Sequence, residues 1–323
     1  MSKPKLAIYW ASSCGGCDIA ILDIEEKILA VADFFDVVFW PCAMDIKYDD
    51  VRAMEDKSIT LTLFNGAIRT SENFELAELM RQKSVVLVAF GSCAGEGCIP
   101  ALANFFNKES ILDYVYHKSP SLANGGNVEP QPEVQVPEGT ITIPKFWNTV
   151  RSLDQVVEVD YYIPGCPPQS DQIVNAVLAV IDILQNNKPL PPKGTVLGAT
   201  DKSCCDECPR ERNIKKIKSF TRPFMKVTDP NLCLMEQGIV CLGPATRSGC
   251  GAKCVKAGMP CRGCYGLPAN INDQGAKMVT ALASVIDSTD PEEIEQIINT
   301  IPDPLGTFYR FSMAGSLLRR VQV

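Results

Sequence analysis

The chain has 323 residues, 46% of them hydrophobic, enough for two domains with cores of their own. Its 31 basic and 38 acidic residues leave a net charge of −7, which argues against nucleic acid as a partner. Apolar runs stop short of the roughly 18 residues a membrane span requires, and the start, Met1 to Lys5, leads into a strand-like segment with neither a charged-then-apolar leader nor a twin-arginine signal. A cytoplasmic location without membrane insertion is therefore expected. Fifteen cysteines in such a chain point to metal binding, because the cytosol keeps thiols reduced. His117 is the one histidine, so any metal site must be built from sulfur.

In chain order, Lys5–Trp10 reads as an apolar strand, followed by Ser13-Cys14-Gly15-Gly16-Cys17 and a helical pattern from Asp18 to about Val31, with Ile21, Ile24, Ile28 and Val31 on one face. Further strands are expected at 36–41, 59–64, 85–90 and 156–163, with helices near 73–82 and 170–184. Strands apolar on both faces that alternate with helices indicate a parallel sheet covered on both sides. Residues 1–185 therefore read as a flavodoxin-like, doubly wound α/β domain. Residues 107–155 are rich in Pro and Gly and read as an irregular surface excursion. Residues 186–200 are expected to be a Pro-rich linker. Residues 201–323 form a smaller, irregular and helical domain, with helices from about Gln274 to Ile286 and from Pro291.

Eight cysteines between Cys205 and Cys264 fall into two sets of four: Cys205, Cys208, Cys233 and Cys241, then Cys250, Cys254, Cys261 and Cys264. Each set has a C-x2-C pair, whose thiolates can reach one metal from a tight turn. Zinc ribbons pair two such knuckles. The irregular spacing here, with Pro and Gly between the cysteines, favours iron–sulfur cubanes over zinc. A third set lies in the first domain. Cys14 and Cys17 follow the first strand, Cys93 follows the fourth, and Cys166 follows the last, so all four are placed at the carboxyl edge where doubly wound sheets bind ligands. A redox dithiol at Cys14 and Cys17 is the alternative, but it gives no role to Cys93 or Cys166.

The motifs Cys14-Gly-Gly-Cys17, Gly91-Ser-Cys-Ala94 and Pro164-Gly-Cys-Pro-Pro168, with the two later quartets, resemble the small subunit of a nickel–iron hydrogenase. The chain is most similar to the cytoplasmic methyl-viologen-reducing type associated with heterodisulfide reductase, through Phe39-Trp-Pro41, Met44-Asp45, Lys47-Tyr48, Cys208-Pro-Arg210, Cys241-Leu-Gly-Pro-Ala-Thr246 and Pro260-Cys-Arg-Gly-Cys264. The first half also resembles the quinone-site cluster subunit of respiratory complex I, which lacks the later quartets. The hydrogenase resemblance implies three 4Fe-4S clusters: proximal on Cys14, Cys17, Cys93 and Cys166; medial on Cys250, Cys254, Cys261 and Cys264; distal on Cys205, Cys208, Cys233 and Cys241. It implies a nickel–iron centre on a separate large subunit, and electron transfer outward to a small iron–sulfur subunit and a flavin-containing heterodisulfide-reductase-type complex. The runner-up function is an iron–sulfur relay in a related complex that does not oxidise hydrogen.

Four further residues carry expectations. Asp18 stands where relatives often carry Glu, so it is a candidate for proton transfer or for complementing a helix N-terminus. Cys98 occupies a position resembling one of two extra cysteines around a modified proximal cluster in oxygen-tolerant hydrogenases. Gly16 stands where the second would be. Cys42 follows the second strand at the same sheet edge. Cys204 adjoins Cys205 and is a possible substitute for it. Each of these cysteines also fits simple packing as a small buried side chain.

Overall fold

The structure is a computed structural model that describes residues 3–213 and 216–318. Its strands are β1 Lys5–Trp10, β2 Asp36–Phe39, β3 Ile59–Asn65, β4 Ile68–Thr70, β5 Ser84–Phe90, β6 Glu133–Val136, β7 Gly139–Thr142, β8 Phe146–Arg151, β9 Tyr161–Ile163 and β10 Thr195–Val196. Six of them make one parallel sheet in the order β10-β9-β5-β3-β1-β2. The chain steps outward from β1 to β2, then crosses back to β3 and proceeds the other way. The order therefore reverses between β1 and β3, the flavodoxin-like arrangement in which ligands bind beyond the strands' carboxyl ends.

The alternation of side chains along the strands explains why both faces had to be apolar. Leu61, Leu63, Val88 and Phe90 pack with Ile21, Ile24, Val31 and Ile173 from the helices on one face. Ile59, Phe64, Leu87 and Ala89 pack with Leu76, Ala77 and Met80 of the helix Ser71–Lys83 on the other. That helix starts at Thr70, whose hydroxyl accepts the Asn73 amide at 3.2 Å.

Several local expectations are corrected. The helix expected over 18–31 is two helices, Gly16–Leu22 and Ile28–Phe34, broken near Glu25, where φ is +58°. The four apolar residues keep their common face despite the break. The strand expected over 156–163 is confined to 161–163, because the amides of Val156 and Val157 turn back to the Leu153 carbonyl. The Asp160 carboxylate also accepts the Leu87 amide at 2.8 Å, taking the place of a backbone partner. The 107–155 excursion is more ordered than its composition suggests. It holds the β6–β7 hairpin and β8, which pairs antiparallel with β4. Within 186–200, β10 pairs with β9 and extends the main sheet.

Beyond residue 200 the backbone runs mainly in short turns up to the helices Gln274–Ala283 and Pro291–Asn299. The core of this part includes Leu234, Ile239, Leu242, Met278 and Leu282 together with Cys204, Cys241 and Cys261. It continues into Ala101 and Val150 of the first part, so the two parts share apolar contacts.

Candidate metal centres

The carboxyl edge of the sheet is tied together loop by loop. Ser12 pairs with Ala67 beyond β1 and β3, while the amides of Gly91 and Ser92 donate to the Ile163 and Gly165 carbonyls, each at 2.8 Å, beyond β5 and β9. These bonds bring Cys14, Cys17, Cys93 and Cys166 to one place. Burial pushes the Cys17 thiol far up, and Cys93, Cys166, Asp18 and Cys14 push in the same direction, so all are its electrostatic neighbours. Gly91 sits at φ +84°, and a Cβ there would run into the Cys17 sulfur, so only glycine fits against that thiol. Cys14 and Cys166 are exposed, whereas Cys17 and Cys93 are buried.

Asp18 is buried, and both of its carboxylate oxygens are engaged. Oδ1 accepts from the Trp40 indole and Oδ2 from the Asn65 amide, both at 2.8 Å. It therefore ties its own helix to the ends of β2 and β3, an anchoring role that the sequence did not suggest. Cys42, exposed beyond β2, is pushed up by burial and by this same Asp18 carboxylate nearby. Cys98 is completely buried, with its sulfur 3.8 Å from that of Cys166 and its side chain packed with Cys93. Its donation holds the Cys166 thiol down at about 7.

The later cysteines lie around two places. Cys205, Cys208, Cys233 and Cys241 line one small cavity of about 30 Å³, with Arg210, Arg212, Pro244 and Val255. Arg210 is buried and braces the cavity by donating to the Asp229 and Leu232 carbonyls at 2.7 and 2.9 Å. A Cβ at Gly243 would come within 2.9 Å of the Cys205 sulfur. Cys254 feels Cys261 and Cys250, and Cys264 feels Cys261, Cys254, Cys166 and Cys250, so these thiols are neighbours. Burial pushes Cys205 and Cys264 each up to about 12.

Cys204 is buried and lines the same cavity as its neighbour Cys205. With Glu207 and Cys250 it also forms a set whose ligand atoms all lie within 4.8 Å of one another. Sequence reasoning missed two features here. Glu207 takes the amides of Gly249 and Ala252, each at 3.1 Å, and stands 3.3 Å from the Cys250 sulfur. Ser92, next to Cys93, donates its hydroxyl to the Cys264 carbonyl at 2.5 Å. Only the adjacency of these residues to cysteines in the sequence hinted at either.

The donor sets fit clusters better than single ions. A tetrahedral zinc with bonds of about 2.3 Å holds its sulfurs roughly 4 Å apart. Among the described residues, no three thiols of any one quartet lie within 4.8 Å of one another. Burial of several thiols together favours ionisation only when a metal supplies the positive charge.

Across 98% of both chains, this one is 39% identical to the iron-sulfur subunit of the F420-non-reducing hydrogenase of Archaeoglobus profundus. It is 36% identical to a subunit of the F420-non-reducing hydrogenase of Methanothermobacter thermautotrophicus, over 98% of this chain and 96% of the relative. The chain belongs to the small-subunit family of nickel–iron hydrogenases. It is thus an oxidoreductase subunit. Residues 14–180, which include Cys14, Cys17, Cys93 and Cys166, also match the family described as NADH ubiquinone oxidoreductase, 20 Kd subunit. The fold is shared with the NiFeSe hydrogenase of Desulfovibrio vulgaris Hildenborough, at a TM-score of 0.54 and 16% identity, over 84% of this chain and 95% of that one. Among the described residues, no helix is long and apolar enough to cross a membrane.

Proposed function

We propose that this small subunit is the electron relay of a cytoplasmic nickel–iron hydrogenase and holds three 4Fe-4S clusters. The proximal cluster is held by Cys14, Cys17, Cys93 and Cys166, the medial by Cys250, Cys254, Cys261 and Cys264, and the distal by Cys205, Cys208, Cys233 and Cys241. The observation that carries this reading is that the three quartets are joined in a line. Ser92 binds the Cys264 carbonyl between the proximal and medial sets. The Cys261 amide donates to the Cys241 sulfur at 3.3 Å between the medial and distal sets. Bound there, the clusters supply one-electron chemistry. The chain's own residues fix the spacing, exclude water and donate hydrogen bonds to sulfur, which sets the potentials.

The two ends of the line suit two partners. Cys14 and Cys166 open at the sheet edge beside Trp10, which packs over Gly15, and near the exposed Ile19 and Ile99. This is the face we assign to the large subunit and its nickel–iron centre. At the other end, exposed Phe224, Met225 and Val227 precede the loop that Arg210 ties to the distal cavity. This is the face we assign to a small iron–sulfur subunit and a flavin-containing heterodisulfide-reductase-type complex. The test is anaerobic purification with partners attached, followed by metal analysis and hydrogen-dependent dye reduction. Nickel in the complex and rapid dye reduction under hydrogen are expected. An intact, iron-replete complex that reduces no dye under hydrogen would favour a relay that does not serve hydrogen oxidation.

A further inference from the structure

Seven of the chain's 31 basic residues fall between Arg210 and Lys226, against one of its 38 acidic residues, Glu211. In a protein of net charge −7 this stretch is a cationic island. It is also held in place. The Ile217 amide donates to the Val285 carbonyl at 2.8 Å, the Phe220 amide to the Thr300 hydroxyl at 2.7 Å and the Thr221 amide to the Gly238 carbonyl at 2.8 Å. Ile217 and Phe220 are buried, which leaves Lys216, Lys218 and Arg222 on the outside. Next comes a single 3-10 turn, Pro223–Met225, whose Phe224 and Met225 are 82% and 67% exposed. Lys226 and the 99% exposed Val227 follow. Gln237 closes this finger at its base. Its carbonyl accepts from the Lys226 ammonium at 2.5 Å, and its side-chain amide donates to the Asp229 and Cys233 carbonyls at 3.1 and 3.4 Å. The finger is thus fastened to a cysteine of the distal cavity, which Arg212 also lines.

We propose that residues 216–227 are a docking finger for an acidic iron–sulfur protein that takes electrons from the distal site; this names the chemistry of the exit face assigned above and rests on that assignment. Phe224, Met225 and Val227 form an apolar centre, and Lys216, Lys218, Arg222 and Lys226 a cationic rim, the layout of a protein interface. Among the described residues, Lys216 and Lys226 donate to backbone carbonyls, of Ser284 and Gln237, and none of the four cations meets a carboxylate. A partner with an acidic face supplies those carboxylates and is steered toward the finger before contact. An anionic membrane fits less well, because the finger is an anchored extended run with one short turn and has no amphipathic helix to lie in the interface.

The test treats the complete complex, purified without oxygen at low salt, with a carbodiimide, which joins lysine amines to carboxylates that touch them, and maps the products by peptide mass spectrometry. Lys218 or Lys226 should link to Asp or Glu of an iron–sulfur protein. Links from them to a second copy of this chain, or no link from Lys216, Lys218 or Lys226 to another protein, would overturn the proposal. Replacing all three of Lys218→Glu, Arg222→Glu and Lys226→Glu should weaken retention of that protein about tenfold. The pair Lys218→Arg and Lys226→Arg, which keeps the charge, should retain it as the parent does. A glutamate variant that held the partner as well as the parent would defeat the electrostatic argument. Binding to phosphatidylglycerol vesicles that the glutamate variant loses would also overturn the proposal, by giving the finger to a membrane. Hydrogen-dependent dye reduction by the parent complex is read separately: its absence would defeat the hydrogenase reading and leave the cross-links to be judged on their own.

Discussion

Cys98 combines a left-handed backbone, at φ +47°, with complete burial against Cys93, Phe311 and Cys264. The preceding Gly97 is also left-handed, and a Cβ on it would lie 2.5 Å from that of Ala314, so this turn cannot relax away from the proximal set. Glycine suits the backbone of Cys98 better than cysteine does. Cys98→Gly should therefore fold, keep its iron and keep hydrogen activity, while changing the proximal potential or the survival of activity in air. Cys93→Gly should instead lose cluster and activity together. Redox titration with timed oxygen exposure decides the matter, and a Cys98→Gly protein equal to the parent in both assays would reduce Cys98 to packing. Glu96 poses a different residue-scale question. Its carboxyl end is wedged against Gly266 beside a cavity of about 550 Å³ that Arg247 and Asp154 also line, and its Oε2 has no hydrogen-bond partner. Burial pushes it up to about 7, with the Leu267 amide and Arg247 opposing and Asp154 assisting. A raised carboxyl pKa stabilises the fold below the ordinary value of 4.5, and that contribution is lost as pH rises through 7. Glu96→Gln should thus match the parent near pH 5 and exceed it by about 2 kcal/mol near pH 8.5. Denaturation midpoints of the two proteins at both pH values check this, and a gap that does not grow with pH would contradict it.

The elements that matter for the site are the loops leaving β1, β5 and β9, because three strands of one sheet deliver four cysteines with little backbone adjustment. If their exposed edge is the large-subunit face, amides in 14–17, 92–100 and 164–168 should slow in hydrogen exchange when that subunit is present. Equal exchange with and without it would remove the assignment. The strands that deliver these loops were legible because central parallel strands must be apolar on both faces, a pattern few other elements show. The helix Pro291–Asn299 was legible from Pro291 at its first turn, and the structure adds its cap, with Asp290 accepting the amides of Glu292 and Glu293. The 18–31 break and the shortened β9 were not legible, since each depends on single backbone hydrogen bonds that leave the hydrophobic pattern intact.

At the scale of the molecule, the two parts differ in what holds them. The first rests on a six-stranded sheet with apolar layers on both faces. The segment from 201 to about 270 is chiefly turns, and its core counts Cys204, Cys241 and Cys261 among its buried side chains. If four thiolates meet at each centre, as proposed, they replace the regular backbone ladder that this segment lacks, so its folding should be linked to metal as in other small metal-dependent units. Anaerobically purified protein should carry about twelve irons and about twelve acid-labile sulfides, four of each per centre. About eight irons with bound zinc would sink the three-cluster assignment. Partial removal of iron by a chelator should then expose 201–270 to protease while 3–186 remains resistant, because the sheet keeps its apolar layers when the edge loops loosen. Cleavage appearing first inside the sheet domain, with 201–270 intact, would show that the turns are held by packing alone and that metal is not what folds them.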